Sequence, residues 1–210
     1  MTVTMGHGRP VGQAYALRTA QRNLATRRYS FVLGNEREPD ARVRVDIEPQ
    51  GEREQAGREV ATYRRTLVFE QDGREIQRQS ALTTVDCDAG QMVSNEGGGM
   101  FLEVERARSL PERAFVGEGG TYFEATVFVD TAELGRSASS RRAVASSFVS
   151  WALEAWDEGL ALWRIAIESS GRVGPVVSEA YIIGHDGQIK GAALIFEGES
   201  SQLLLSGLAV

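Results

Sequence analysis

Residues 137–157 read SASSRRAVASSFVSWALEAWD, and the fold class turns on them. Val144, Phe148, Trp151, Ala152 and Ala155 recur at spacings of three and four, with Leu153 and Trp156 widening the stripe. Apolar residues spaced in this way share one face of a helix. Ser137, Ser139 and Ser140 stand ahead of the run, where a serine hydroxyl can accept from the free amides of a first turn. Gly159 stands just past its end, a position that favours a left-handed residue. The pattern predicts one long amphipathic helix, which makes the chain α+β.

Outward from this stretch the chain reads as strands. Tyr29, Phe31 and Leu33 alternate with Arg28, Ser30 and Val32. Between Ala41 and Glu48, Val43, Val45 and Ile47 take one face while Arg42, Arg44, Asp46 and Glu48 take the other. That is the signature of a strand with one buried and one wet face. Residues 49–58, PQGEREQAGR, are polar and read as a flexible loop. Residues 59–70 and 75–87 flank Asp72-Gly73, a pair that favours a two-residue type I′ hairpin because both central positions need positive φ. Residues 89–99 are a glycine-rich connection, and 100–107 and 121–130 read as two more strands. Downstream, 160–168, 176–183, 189–197 and 201–210 form a meander, turned at Ser169-Ser170-Gly171-Arg172 and at His185-Asp186-Gly187.

Near the start, Val11, Ala14, Leu17, Ala20 and Leu24 mark a short helix over 11–27, with Arg18 and Arg22 off its apolar face. Residues 1–10 carry no apolar period and read as a flexible end. No Pro- or Ser-rich linker interrupts 11–210, which reads as a single α+β domain. About nine short strands joined by short connections lack the crossovers that a parallel sheet needs. The expected architecture is a mainly antiparallel curved sheet, a half-open barrel or sandwich-like, packed on the long helix. The apolar C-terminus is its last strand, at an edge.

Charge divides the chain unevenly. Residues 1–34 hold Arg9, Arg18, Arg22, Arg27 and Arg28 and no acid. The other 18 basic residues face 29 acids, so 35–210 carries −11 within a total of −6. A basic arm on an acidic body fits an acidic protein partner or a second copy of the chain. Arg18, Arg22, Arg27 and Arg28 are the candidate partner-binding residues. The arm has three readings: docked on its own body, gripping a neighbouring subunit, or a targeting peptide. An acidic body repels phosphates, so nucleic acid is not an expected partner. One cysteine, Cys87, rules out an internal disulfide. No apolar run is long enough for a transmembrane helix or a secretory signal. The cytoplasm is the default expectation, with the periplasm open if a signal has been removed.

The usual signatures of chemistry are missing from the sequence. It has no P-loop, no dinucleotide fingerprint, no C-x-x-C and no H-E-x-x-H. No cofactor and no metal is expected, because two histidines and one cysteine do not assemble the usual zinc ligands. Cys87 and His185 are the one thiol–imidazole pair to weigh, His7 lying in the loose end. Asp86 and Asp88 beside the thiol oppose its ionisation. Asp86-x-Asp88 opens like a calcium loop, but Gly90 and Gly97 stand where ligands are required. Glu103 and Glu105 share a strand face and suit either acid–base work or a wet wall. The glycine clusters 97–99 and 117–120 suit loop tips better than anion cradles, because Glu96 and Glu118 lie beside them.

Three function classes follow. The first is a non-catalytic binding or assembly subunit acting through its basic arm and an edge strand. The second is a carrier for a small apolar ligand, held between the curved sheet and the Trp-bearing helix. Phe148, Trp151, Trp156 and Trp163 are its candidate ligand-binding residues, with ordinary core packing as the competing account. The third is an enzyme without a recognisable signature.

Overall fold

The computed structural model of the chain describes residues 12–35, 38–130, 141–157, 159–170, 176–197 and 202–208. Among these residues one helix, α1 (Leu17–Thr26), precedes twelve strands. They are β1 (Tyr29–Asn35), β2 (Glu38–Gln55), β3 (Arg58–Gln71), β4 (Arg74–Asp86), β5 (Gln91–Gly97), β6 (Met100–Ala107), β7 (Gly119–Asp130), β8 (Arg141–Asp157), β9 (Leu160–Ser169), β10 (Val176–Gly184), β11 (Ile189–Glu197) and β12 (Gln202–Leu208). Each pairs antiparallel with its neighbours in sequence, and β12 returns to β1, so the sheet closes into a barrel.

The α+β expectation is thereby corrected to an all-antiparallel closed barrel with one short helix among the described residues. The long amphipathic helix does not exist. Residues 141–157 form β8, paired with β7 from Gly119–Ala152 to Asp130–Arg141 and with β9 from Ser147–Ser169 to Asp157–Leu160. Hydrogen-bonding partners on both sides outweigh the helical propensity of an alanine-rich stretch. Neither the half-open nor the sandwich variant holds, and β12 is no edge, since β11 flanks it on one side and β1 on the other. The polar stretch after residue 48 is the outer part of β2, which runs to Gln55. Pro49 is accommodated there at a register shift between Pro49 and Gly51, where a missing N–H does no harm. The loose end at 1–10, the serines Ser137, Ser139 and Ser140, and the Gly171-Arg172 turn lie outside the described residues.

Alternation sets what faces the lumen. Val43, Val45 and Ile47 of β2, Val149, Trp151 and Leu153 of β8, and Tyr181 and Ile183 of β10 join one continuous core. Helix α1 closes the end of the barrel that carries the β4–β5, β6–β7 and β10–β11 connections. Leu17, Ala20, Leu24 and Ala25 insert into the same core. The Ala16 N–H donates to the His185 carbonyl at 3.0 Å and Asn23 Nδ2 donates to the Gly187 carbonyl at 3.0 Å. Arg18 Nη2 donates to the Leu110 carbonyl at 3.1 Å. A side chain at Gly187 would meet the Ala16 carbonyl at 2.6 Å, so the helix sits where only glycine lets it approach.

The outer wall has two characters. Arg42, Arg44, Asp46 and Glu48 of β2 and Glu103 and Glu105 of β6 project outward on a charged half. Across β9, β10 and β11, by contrast, Leu162, Ala180, Ile182, Ala193 and Ile195 form a second apolar cluster, buried, with Trp156 and Leu160 against it. No helix among the described residues is long and apolar enough to cross a membrane.

Candidate functional site at the barrel mouth

The end of the barrel opposite α1 carries the candidate site. Its geometry starts from an uneven rim. Pairing between β4 and β5 ends at Ala81–Gly97, while β4 and β3 stay paired out to Arg74–Gln71. The β3–β4 hairpin therefore overhangs the shorter β5–β6 hairpin and leaves a notch beside it. A side chain at Gly97 would collide with the Ser80 carbonyl, so glycine is required for the two strands to meet at that corner. The notch opens into a cavity of about 470 Å³ lined by Arg65, Leu67, Gln79, Ala81, Asn95 and Met100, among others. That volume falls within the ordinary range of small-ligand sites, and barrel mouths are among the places where such sites occur.

Arg65 enters the lumen because it occupies an inward position of β3, between Tyr63 and Leu67, both part of the core. Glu179 does the same on β10, two residues before Tyr181. The two side chains form an ion pair, with 21% and 20% of their surfaces exposed. Strands β3 and β10 are not neighbours in the barrel, so the pair joins opposite walls. Removing one partner would strand the other charge in a half-desolvated place. Beside the pair lies a gap of only about 10 Å³, near the lower limit for one water.

Behind the pair the lumen is filled, with a polar layer through it. Asn95 Nδ2 donates to Thr83 Oγ1 at 2.8 Å, and Thr83 is hydrogen-bonded in turn to Tyr63. Burial pushes the phenols of Tyr63, Tyr122 and Tyr181 above their ordinary value; the positive charge of Arg65 draws Tyr63 and Tyr181 partly back. The Trp163 ring lies 5.9 Å from that of Tyr181. Trp163 Nε1 and Tyr122 Oη are buried with no hydrogen-bond partner among the described residues.

The four aromatic candidates are not brought together. Trp151 and Trp163 face the lumen and belong to its core. Phe148 is 41% exposed on the outer wall, and Trp156 lies against the outer apolar cluster. A helical period puts Phe148, Trp151 and Trp156 on one stripe; the two-residue period of a strand separates Phe148 from Trp151. With 141–157 in the wall, the pocket drawn between sheet and helix has lost its helix.

The arginine candidates sit on or near α1. Arg18 bonds the Leu110 carbonyl, Arg22 lies 3.8 Å from Glu59, Arg28 lies 4.0 Å from Glu48, and Arg27 is exposed. Three of the four therefore contact their own barrel. Cys87 is buried, which pushes its thiol up, and the His185 ring lies instead against Tyr15, tilted, with centroids 4.2 Å apart. Asp86 Oδ1 accepts from the Asp88 and Ala89 amides at 3.0 and 2.9 Å, which uses it as a turn cap. No cluster of three metal-ligating side chains occurs among the described residues. Glu103 and Glu105 project from the outer wall, where Thr126 donates to Glu105.

Sequence reasoning missed Arg65, Glu179, Gln79 and Asn95. A signal for the first two was present. Tyr63-x-Arg65-x-Leu67-x-Phe69 and Glu179-x-Tyr181-x-Ile183 are two-step apolar series, each holding one charge, of opposite sign. Comparison with family models, curated proteins and solved structures gives no match to this chain.

Proposed function

We propose that the protein is a non-catalytic binding module that takes a small ligand into the mouth of its barrel. The observation that carries this reading is the cavity of about 470 Å³ at the rim, where apolar walls from Leu67, Ala81 and Met100 meet the polar groups of Arg65, Gln79 and Asn95. Apolar walls with a few convergent polar groups are what small-molecule sites share. Because the lumen beneath is filled, the ligand is held at the rim rather than swallowed. Native mass spectrometry of the full chain, purified from its source, tests this. The expected spectrum shows the chain with an added small-molecule mass. Substitution of the exposed Gln79 by Trp fills the notch, and should remove the adduct while leaving the thermal midpoint unchanged. A chain without adduct, or an adduct indifferent to Gln79→Trp, would defeat the reading.

A second reading, self-assembly, is favoured by one observation. Val32, Leu204 and Leu208 are exposed on the outer wall where β12 meets β1, and the last two pair with Ile195 and Gly191 beside the outer apolar cluster. A contiguous apolar face of this kind suits a second copy of the chain. The same spectrum decides it: a multiple of 22.9 kDa supports assembly and a monomer removes it.

A further inference from the structure

Among the described residues, the cavity at the rim is lined by one inward guanidinium and two side-chain amides and by no carboxylate. From the inward faces Arg65 offers a guanidinium and Gln79 and Asn95 offer amides, while Arg78 and Ser80 alternate to the outer face, where Ser80 Oγ lies 3.2 Å from Thr66 Oγ1. Arg78 is committed to Glu75, which accepts from its Nε at 3.0 Å and its Nη2 at 2.6 Å. Arg65 is held differently, by Glu179 reaching across from the opposite wall. A guanidinium offers a planar fork that matches a carboxylate. The site therefore already displays, inside one chain, the recognition it would offer an acid from outside.

Given that the mouth is a ligand site, we propose that its ligand is a small amphiphilic monocarboxylate whose headgroup replaces Glu179 on Arg65. Its apolar tail lies against Leu67, Ala81 and Met100. Exchanging one carboxylate for another keeps Arg65 paired throughout, and the charge left without its partner is the released Glu179, which opposes binding. A phosphate is the poorer fit, because a second negative charge would sit close to the released Glu179. Glu179 thus acts as a built-in competitor, and the affinity for an external acid is set by how readily it lets go.

Titration calorimetry of the full chain with octanoate and with octanol, both below micellar concentration, tests the proposal. Octanoate should bind wild type more tightly than octanol by about tenfold or more, the scale of a charge-assisted bond. Glu179→Gln, which removes the competing charge, should tighten octanoate binding several-fold and leave octanol unchanged. Arg65→Gln should abolish the preference. If Arg65→Gln fails to fold, the wild-type pair of ligands and Glu179→Gln still decide. Equal binding of the two ligands, blocked by Gln79→Trp, would overturn the carboxylate and leave the ligand site standing. Absence of binding in wild type and in Glu179→Gln would also overturn the carboxylate; a native adduct lost in Gln79→Trp would then preserve the site, and its absence would remove both.

Discussion

At the scale of single residues, the tightest constraint on this barrel is backbone sign. Ala56 has φ 52° and Gly57 φ 74° in the β2–β3 turn, and Asp72 and Gly73 repeat that pair at 52° and 71° in the β3–β4 turn. Asp72 tolerates the left-handed region because a short polar side chain can bond locally, whereas Ala56 has no such compensation. Replacing Ala56 by Gly should therefore stabilise the protein by about 0.5–1 kcal/mol, after the added freedom of the unfolded chain is deducted. Calorimetric melting reads this directly, and a lower midpoint would mean that the turn adopts another conformation in solution. The Asp-Gly turn was legible because its residue types dictate its geometry. The Ala-Gly turn was not, because alanine carries no such preference and the surrounding residues are uniformly polar. Arg65 and Glu179 stand between these cases: each interrupts an apolar series, but only the fold shows that they meet.

At the scale of the element, residues 141–157 carry two periods at once. The stretch WALEAWD is rich in good helix formers. The inward series of β8 begins with Ala145 and Ser147, small residues that weaken the alternation a strand normally announces. The two periods make different predictions about one pair of side chains. A helix would bury Phe148 and Trp151 on the same face, and the strand buries only Trp151, which is 9% exposed against 41% for Phe148. Trp151→Ala should cost about 3–5 kcal/mol, the range for deleting a buried aromatic, whereas Phe148→Ala should cost less than about 1 kcal/mol. Chemical denaturation of the two variants compares them. Similar large losses at both positions would restore the helix and remove β8 from the wall.

At the scale of the whole molecule, a closed wall isolates a lumen in which neutral groups stay neutral. Burial raises Tyr63, Tyr122 and Tyr181 above the ordinary phenol value of 10.0, and their ionisation is therefore coupled to opening. The sign follows from linkage. The folded values exceed the unfolded one, so the unfolded chain releases its phenolic protons first as pH rises. This contribution to stability is intact below about pH 10 and declines as pH climbs beyond it. The denaturant midpoint should accordingly fall above pH 10, with the phenolate absorbance of these three tyrosines rising only on unfolding. Their titration at the ordinary value in a chain that remains folded would show that water reaches the lumen freely.

Some features follow from the sequence alone. Alternation placed Val43, Val45 and Ile47 inside and their charged neighbours outside, Asp72-Gly73 set one hairpin, and short connections required antiparallel pairing. All are local, fixed by residues within a few positions of each other. Only the tertiary structure decided that residues 141–157 extend and that β12 meets β1, at Gly34–Ser206, to close the wall. It also brought Arg65 and Glu179 across the lumen to one point. The last two join distant parts of the chain, and β8, though it pairs with its neighbours in sequence, is held extended by those strands rather than by its own period.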